Sequence, residues 1–508
     1  MSSITMQGAS MSDSPVVTTT SGQVRGFWRD QPEGSRSAAF LGVPFAEAPV
    51  GAYRYLAPHP RTPWEGVRDA TKYGATAQRR PFGEVTAIPE PSIPGDDVLH
   101  VNVFTPDPRE GALLPVLFWI HGGGYKAGSP ASPWYDGFAF NRDGVVTVSV
   151  GYRLGFDGFG LIEHAPANRG LLDQIAGLEW VRNNIAEFGG DPSNVTIAGQ
   201  SAGGGSVLAL MASPLAEGLF HAAISHSGAL RPITADLAAE RTTALAEQLG
   251  VEPTVEGFSS VTHDQVLDAT EAMERAERPV EDPQQVVDSV VAAERITELM
   301  FLPHEDSFSL PAGWVSRVAA HPAPLMFGTT AHEITAAGQF MAPLLQGQNA
   351  RDLLRTSRLG EFAEEYLAAN AEMDDDLLLG QVDTDKTFRR WVPVVAQARE
   401  QHGLPTWVYD FRWVNQTSGL ATHCAELPFV WDNLADPKVE TSSGPGAPQE
   451  LADRMHAVWV QFISEHTAPW QVWTREAPRT MVFDESSGEA DGYQVEARFA
   501  EVVERLSQ

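Results

Sequence analysis

Ser201 stands in Gly199-Gln200-Ser201-Ala202-Gly203, a serine between two glycines. A serine hydroxyl is a weak nucleophile until a neighbouring base takes its proton, and small flanking residues suit the tight turn that would expose it. The chain holds 45 glycines, and about 0.2 such motifs would arise by chance, so the pattern counts only in context. The context fits. Residues 195–198 read as a short strand, and residues 202–212 read as a helix of small and apolar residues. A strand, a sharp turn and a helix make a nucleophile elbow, and the helix N-terminus stabilises negative charge that develops beside it.

A second motif, His121-Gly122-Gly123-Gly124, follows directly on the apolar run 114–120. Acyl transfer builds an oxyanion, and preorganised backbone N–H groups lower that barrier. Consecutive glycines let the backbone come close and turn its N–H groups inward, so Gly123 and Gly124, with Ala202 after the nucleophile, are the candidate donors. The acid and the base should follow Ser201 in that order. Ten histidines follow it. His423 lies on a polar loop after the apolar run 407–413, the position expected of a base. Glu333 comes just after the strand-like run 325–329 and is a candidate acid, with His332 beside it as a competing base.

The elements that must position these residues alternate. Residues 24–28, 38–43, 114–120, 145–152, 195–198, 222–225, 325–329 and 407–411 read as strands. Residues 170–188 carry apolar positions at helical spacing, and Gly189-Gly190-Asp191-Pro192 stops that helix. A last amphipathic helix is expected over 450–466, after a Gly/Pro-rich loop at 442–449. Strands separated by helices imply an α/β class with a mostly parallel sheet covered on both faces. Acidic, helix-prone stretches at about 234–311 and 345–400 read as helical insertions over the active site of a single domain spanning 1–508, with 1–15 as a flexible leader.

Composition narrows the partners. A net charge of −31 argues against nucleic acid and anionic membranes, and no stretch has the ~20 apolar residues of a membrane span. The lone cysteine, Cys424, rules out an internal disulfide, fits a reducing, cytoplasmic setting and reads as a packed core thiol. No metal-ligand spacing occurs, and no cofactor is expected. The expected partner is a small-molecule ester, with the chain a monomer or small homo-oligomer.

These motifs sit within a wider pattern. Phe40-Leu41-Gly42-Val43-Pro44-Phe45-Ala46, Asp96-Asp97-Val98-Leu99-His100-Val101-Asn102-Val103, the His121 glycines, Tyr152-Arg153-Leu154-Gly155 and residues 199–204 resemble segments of the type-B carboxylesterases. That family includes bacterial para-nitrobenzyl esterases, animal carboxylesterases and cholinesterases. Residues 328–333 resemble its acid-bearing segment and residues 419–428 its histidine-bearing one. The resemblance implies an α/β-hydrolase fold and a Ser201-His423-Glu333 triad acting through an acyl-enzyme. It also makes Ser227, in Ser225-His226-Ser227-Gly228, a buried serine supporting the triad.

Departures from the family are informative. Val98 replaces the cysteine of secreted relatives, Gln200 stands where Glu is commoner, and Gly151 stands where Asn is usual. Residues 78–94 hold no Trp, so the choline-binding aromatic of the family has no counterpart. His423-Cys424, followed by Glu426 and Pro428, resembles bacterial phenylcarbamate hydrolases. A carbamate or amide hydrolase on the same triad is therefore the alternative, and a non-catalytic binding protein of the same fold the remote one. Tyr125, Phe301, Leu302 and Phe340 are candidates to line or roof the substrate pocket.

Overall fold

In the computed structural model, residues 14–30, 35–80, 87–276, 282–292, 299–436, 439–440 and 443–506 are described. Most of the expected leader lies outside them. The strands are β1 (Val16–Thr19), β2 (Gly22–Arg25), β3 (Phe27–Asp30), β4 (Arg36–Pro44), β5 (Val67–Asp69), β6 (His100–Thr105) and β7 (Leu114–Ile120). There follow β8 (Val146–Val150), β9 (Gly190–Gln200), β10 (Ala222–His226), β11 (Leu325–Thr330), β12 (Thr406–Phe411), β13 (Arg479–Phe483) and β14 (Gly488–Asp491). Eleven of them, among the described residues, form one sheet in the order β14-β13-β12-β11-β10-β9-β7-β8-β6-β4-β3.

The run from β8 through β7, β9, β10, β11 and β12 to β13 is parallel throughout. Antiparallel strands close both edges. Parallel strands need crossovers and hide both faces, which is why β7 is Leu-Pro-Val-Leu-Phe-Trp-Ile rather than an alternation of apolar and polar residues. Its Val116, Phe118 and Ile120 enter the core on one face, under the helices Arg169–Asn184 and Ala202–Ala212. Its Leu117 and Trp119 enter a second core on the other face, with Trp459 and Phe462 of the helix Gln449–Glu465. The helix Arg169–Asn184 passes into a 3-10 turn and ends at Gly189, whose φ of 84° is the left-handed conformation glycine tolerates.

Residues 24–28 are not one strand. Gly26 divides them between β2, in a small sheet with β1 and β5, and β3 at the edge of the large one. A Cβ at Gly26 would overlap the carbonyl oxygen of Ala39, so the chain crosses β4 closely there and cannot carry a side chain.

Helices fill the two acidic stretches: Ala235–Leu249, Val255–Ser259, His263–Ala276 and Pro283–Ala292 in the first, and Ala350–Arg355, Phe362–Ala369, Leu378–Thr384 and Trp391–Gln401 in the second. Several of them join the C-terminal helix Gln494–Leu506 in a separate apolar cluster around Leu354, Tyr366, Leu378 and Phe499. Among the described residues, no helix is long and apolar enough to cross a membrane.

Candidate active site

β9 ends at Gln200, the next helix begins at Ala202, and Ser201 turns the chain between them with φ 58° and ψ −122°. Such a backbone is strained for a residue with a Cβ and persists only where its surroundings hold it. Here the Ser201 N–H donates to the His226 carbonyl at the end of β10 (2.9 Å), and the Gly205 N–H donates to the Ser201 carbonyl (2.8 Å). The flanking glycines are steric necessities. A Cβ on Gly203 would overlap the Ile120 carbonyl oxygen, and one on Gly199 would lie 2.5 Å from the Gly203 carbonyl carbon. The elbow is thus wedged between the ends of β7 and β10.

The glycine loop lies directly against it. A Cβ on Gly122 would come within 3.1 Å of the Ser201 Cβ, and Gly123 and Gly124 adopt φ of 106° and 60°. The loop is held from behind by His121. Its ring stacks on Tyr152 at 4.5 Å and its Nδ1–H donates to the Gly122 carbonyl (2.8 Å), while the Tyr152 hydroxyl donates to the His121 carbonyl (2.9 Å). Burial pushes His121 down to about 4, so the ring is neutral. Ala202 opens its helix, where the first N–H groups have no intrahelical acceptor.

Glu333 and His423 meet. The carboxylate Oε2 of Glu333 accepts a hydrogen bond from His423 Nδ1, and its Oε1 accepts one from the Thr330 N–H (2.9 Å). The His423 N–H also donates to the Glu333 carbonyl (2.8 Å). Glu333 is buried, at 2 % exposure. With Nδ1 donating to Glu333, the other ring nitrogen is an acceptor, and Gln200 Nε2 donates to it from 3.1 Å. Phe388 packs on the ring at 4.8 Å. His332 serves the backbone instead: its N–H donates to the Ala421 carbonyl (3.0 Å) and its Nδ1 accepts the Ala421 N–H (3.1 Å). That pair clips the Glu333 loop to the His423 loop.

Ser227 adjoins the elbow, with φ 49° and its N–H donating to the Gly328 carbonyl (2.8 Å). Its hydroxyl is buried without a hydrogen bond among the described residues. A cavity of about 490 Å³ opens beside Gly124. Val50, Leu154, Phe156, Leu267, Met300 and Phe301 line it, and charged neighbours pair across it, Lys126 with Glu274 (3.0 Å) and Arg80 with Glu271 (3.1 Å). Of the other pocket candidates, Leu302 is in the core, and Tyr125 is buried behind the elbow helix against Phe159. Phe340 is 83 % exposed.

The carboxylesterase family matches residues 13–491, nearly the whole chain. The para-nitrobenzyl esterase of Bacillus subtilis (strain 168) is 34% identical over 491 residues, 92% of this chain and 94% of that protein. The phenmedipham hydrolase of Pseudarthrobacter oxydans is 31% identical over 501 residues, 94% of this chain and 96% of that protein. Among solved structures, a PNB esterase superposes with a TM-score of 0.79 at 31% identity, covering 95% of this chain and 98% of that one.

The chain belongs to the carboxylesterase family.

It is a carboxylic ester hydrolase with the α/β-hydrolase fold of its structural neighbours. Within this carboxylesterase, three residues near the site make contacts or carry a burial that the sequence reading did not assign to them. Gln200 reads as a spacer in the elbow motif, yet its amide reaches His423. Phe388 belongs to a distant helical stretch. Glu426, three residues after His423, is fully buried, with neither carboxyl oxygen hydrogen-bonded among the described residues. Burial, and then the charge of Glu333, push it up to about 8, so it is protonated at neutral pH. Beside it, His226 is pushed down by burial to about 3. The His226 ring accepts the Trp459 indole N–H at Nε2 (3.0 Å) and lies against the Tyr409 hydroxyl at Nδ1 (2.9 Å). Only the unusual acid in Ala425-Glu426-Leu427, within an otherwise apolar run, could have drawn attention to this pair.

Proposed function

We propose that this carboxylesterase works by a Ser201-His423-Glu333 triad and a covalent acyl-enzyme. The observation that carries the reading is the bond from His423 Nδ1 to buried Glu333, which leaves Nε2 as an acceptor beside the elbow. His423 takes the Ser201 proton as the hydroxyl oxygen attacks the ester carbonyl, and Glu333 keeps the ring in the required tautomer and stabilises its protonated form. The N–H groups of Gly123, Gly124 and Ala202 receive the oxyanion, the alcohol leaves with the proton from His423, and water repeats the sequence to free the acid. Ser227 supports the turn from behind. The helix His263–Ala276, which contributes Val266, Leu267 and Thr270 to the cavity wall, is part of the roof.

Esters are the substrates this reading favours. The likeness to a phenmedipham hydrolase supports carbamates as a second class, since one triad can serve either acyl group. The cytoplasm is the compartment we infer, on the strength of a single, buried cysteine.

Ser201→Ala tests the nucleophile. The variant should melt like the parent and lose hydrolysis of p-nitrophenyl butyrate by about 10⁵-fold or more. Substantial residual turnover would reject Ser201. Rates on matched esters and phenylcarbamates then decide between the two substrate classes.

A further inference from the structure

One buried segment closes against the loop that carries Glu333. The helix Leu378–Thr384 runs into a π-helical turn, Asp385–Arg389, a widened turn found frequently at functional sites. Gln381 brackets Glu333 from two residues before it to two residues after it. Its Nε2 donates to the Ala331 carbonyl (3.2 Å), and its Oε1 accepts the Thr335 hydroxyl (2.7 Å). Thr384 Oγ1 accepts the Ile334 N–H (3.0 Å), and Arg389 Nη1 donates to the Thr330 carbonyl (2.9 Å). Thr330 in turn donates its N–H to Glu333 Oε1 (2.9 Å).

The donors and acceptors allow one arrangement. Ala331 offers a carbonyl and Asp385 a carboxyl oxygen, Oδ1 at 3.0 Å, so the Gln381 NH2 group points at both. The Gln381 oxygen is then turned to Thr335, whose hydroxyl must donate. The Thr384 hydroxyl, 3.1 Å from that of Thr335, donates to it in turn. A chain of hydrogen bonds thus runs from Thr384 through Thr335 and Gln381 to Ala331, and bonds in such a chain polarise one another.

Asp385 anchors this chain. Its Oδ2 faces the Tyr366 hydroxyl (2.6 Å), and its Oδ1 faces Arg389 Nε (3.3 Å) as well as Gln381. Burial, and then the charge of Glu496, push Asp385 up to about 7. Two N–H donors occupy Oδ1, so a proton gained by Asp385 lies on Oδ2, towards Tyr366, and Gln381 keeps its acceptor in either state. The same segment also reaches the proposed base, since Phe388 packs on the His423 ring at 4.8 Å.

We propose that Gln381 is a positioning residue for the triad: held by Asp385, it grips the loop through Ala331 and Thr335 and so sets the Glu333 carboxylate against His423. The inference rests on the triad reading. Gln381 is buried behind the loop, so its effect falls on kcat and on the protonation of His423, with KM little changed. A carboxylate held close to an imidazole favours the charged ring. A loosened loop lets the ring lose its proton more easily, and the acid limb of kcat/KM moves down.

The test turns on one hydroxyl. Thr335→Val keeps the shape and deletes the bond to Gln381, whereas Thr335→Ser keeps the bond and deletes a buried methyl. In the full-length enzyme with p-nitrophenyl butyrate, Thr335→Val should lower kcat about tenfold, leave KM within about twofold and move the acid limb down by about 0.5 pH unit or more. Thr335→Ser should match the parent in kcat and pH profile, even where it melts lower. Gln381→Met, which removes both bonds to the loop, should lose more than Thr335→Val. A merely structural contact predicts otherwise: activity would follow melting temperature in all three variants. Parental kcat and acid limb in Thr335→Val, or equal losses in the two Thr335 variants, overturn the proposal. Should Thr335→Val or Gln381→Met fail to fold, the same readouts on the other decide. Glu333→Gln separates the two claims. If it loses activity while Thr335→Val does not, the triad stands and the positioning role falls. If Glu333→Gln keeps its activity, both fall.

Discussion

The side-chain amide of Gln200 donates to His423 Nε2 across 3.1 Å, at the ring nitrogen that Glu333 does not hold. An amide N–H can only donate, so this contact and the Glu333 bond together fix one tautomer, with the proton on Nδ1 and the lone pair on Nε2. The residue before the proposed nucleophile therefore touches the proposed base as well as spacing the turn. In Gln200→Glu, a carboxylate at the same distance would favour the imidazolium, and the base would stay protonated to higher pH. The acid limb of kcat/KM should then move upward by about 1 pH unit. A pH–rate profile that superposes on the parent's would mean the contact does not act on the base.

Glu333 makes its own case. It is buried, accepts the Thr330 N–H through one oxygen and holds His423 through the other. Glu333→Gln keeps the shape but removes the charge, and it can present an amide N–H to Nδ1, which drives the proton to the wrong nitrogen. We expect kcat to fall by about 10³–10⁴-fold while thermal melting changes little. A loss of less than tenfold, read from p-nitrophenyl butyrate turnover, would remove Glu333 from the triad.

Much of this was readable from residues alone, and the limits have physical causes. β7 and the helix Ala202–Ala212 coincide with their sequence patterns, because a doubly buried strand and a small-residue helix leave unmistakable runs. β13 and β14 left none. They lie at a sheet edge, where Arg479, Met481 and Glu489 are partly or wholly exposed and alternation is weak. Gly26 divides a run that looks continuous, since only packing against β4 reveals why no side chain fits there. That Glu333 and His423 would meet could be anticipated from the family resemblance. The contacts of Gln200, Phe388 and Glu426 could not, because each depends on a neighbour far away in sequence or on a burial that its own residue type argues against.

The elbow glycines predict a steric failure. Gly203 lies where the helix Ala202–Ala212 meets the end of β7, and a Cβ there would overlap the Ile120 carbonyl oxygen. Backbone, unlike a flexible side chain, cannot swing away. Gly203→Ala should lose most of its esterase activity and about 1–3 kcal/mol of stability. Urea unfolding of parent and variant measures the second quantity. A variant as stable and as active as the parent would show that β7 and the elbow have more room than this packing allows.

Glu426 ties the site to stability. Burial and then the nearby Glu333 charge hold its carboxyl up to about 8, against about 4.3 in an unfolded chain. Between those values the folded protein keeps a proton that the unfolded chain releases, so this group's contribution to stability falls as pH rises from about 4.3 to 8 and is level above that. Glu426→Gln is uncharged at every pH and removes the slope. Relative to the parent, its melting temperature should therefore rise between pH 5.5 and pH 8.5, by about 2 °C or more. Calorimetry at the two pH values checks this. A difference that stays constant would mean that Glu426 is already ionised in the fold at pH 5.5, beside Glu333, with its oxygens satisfied in some other way. The same protonation bears on catalysis: a neutral Glu426 spares His423 a second buried negative charge near Glu333. Above pH 8 its ionisation should alter the alkaline limb of the parent's kcat profile, and Glu426→Gln should leave that limb flat.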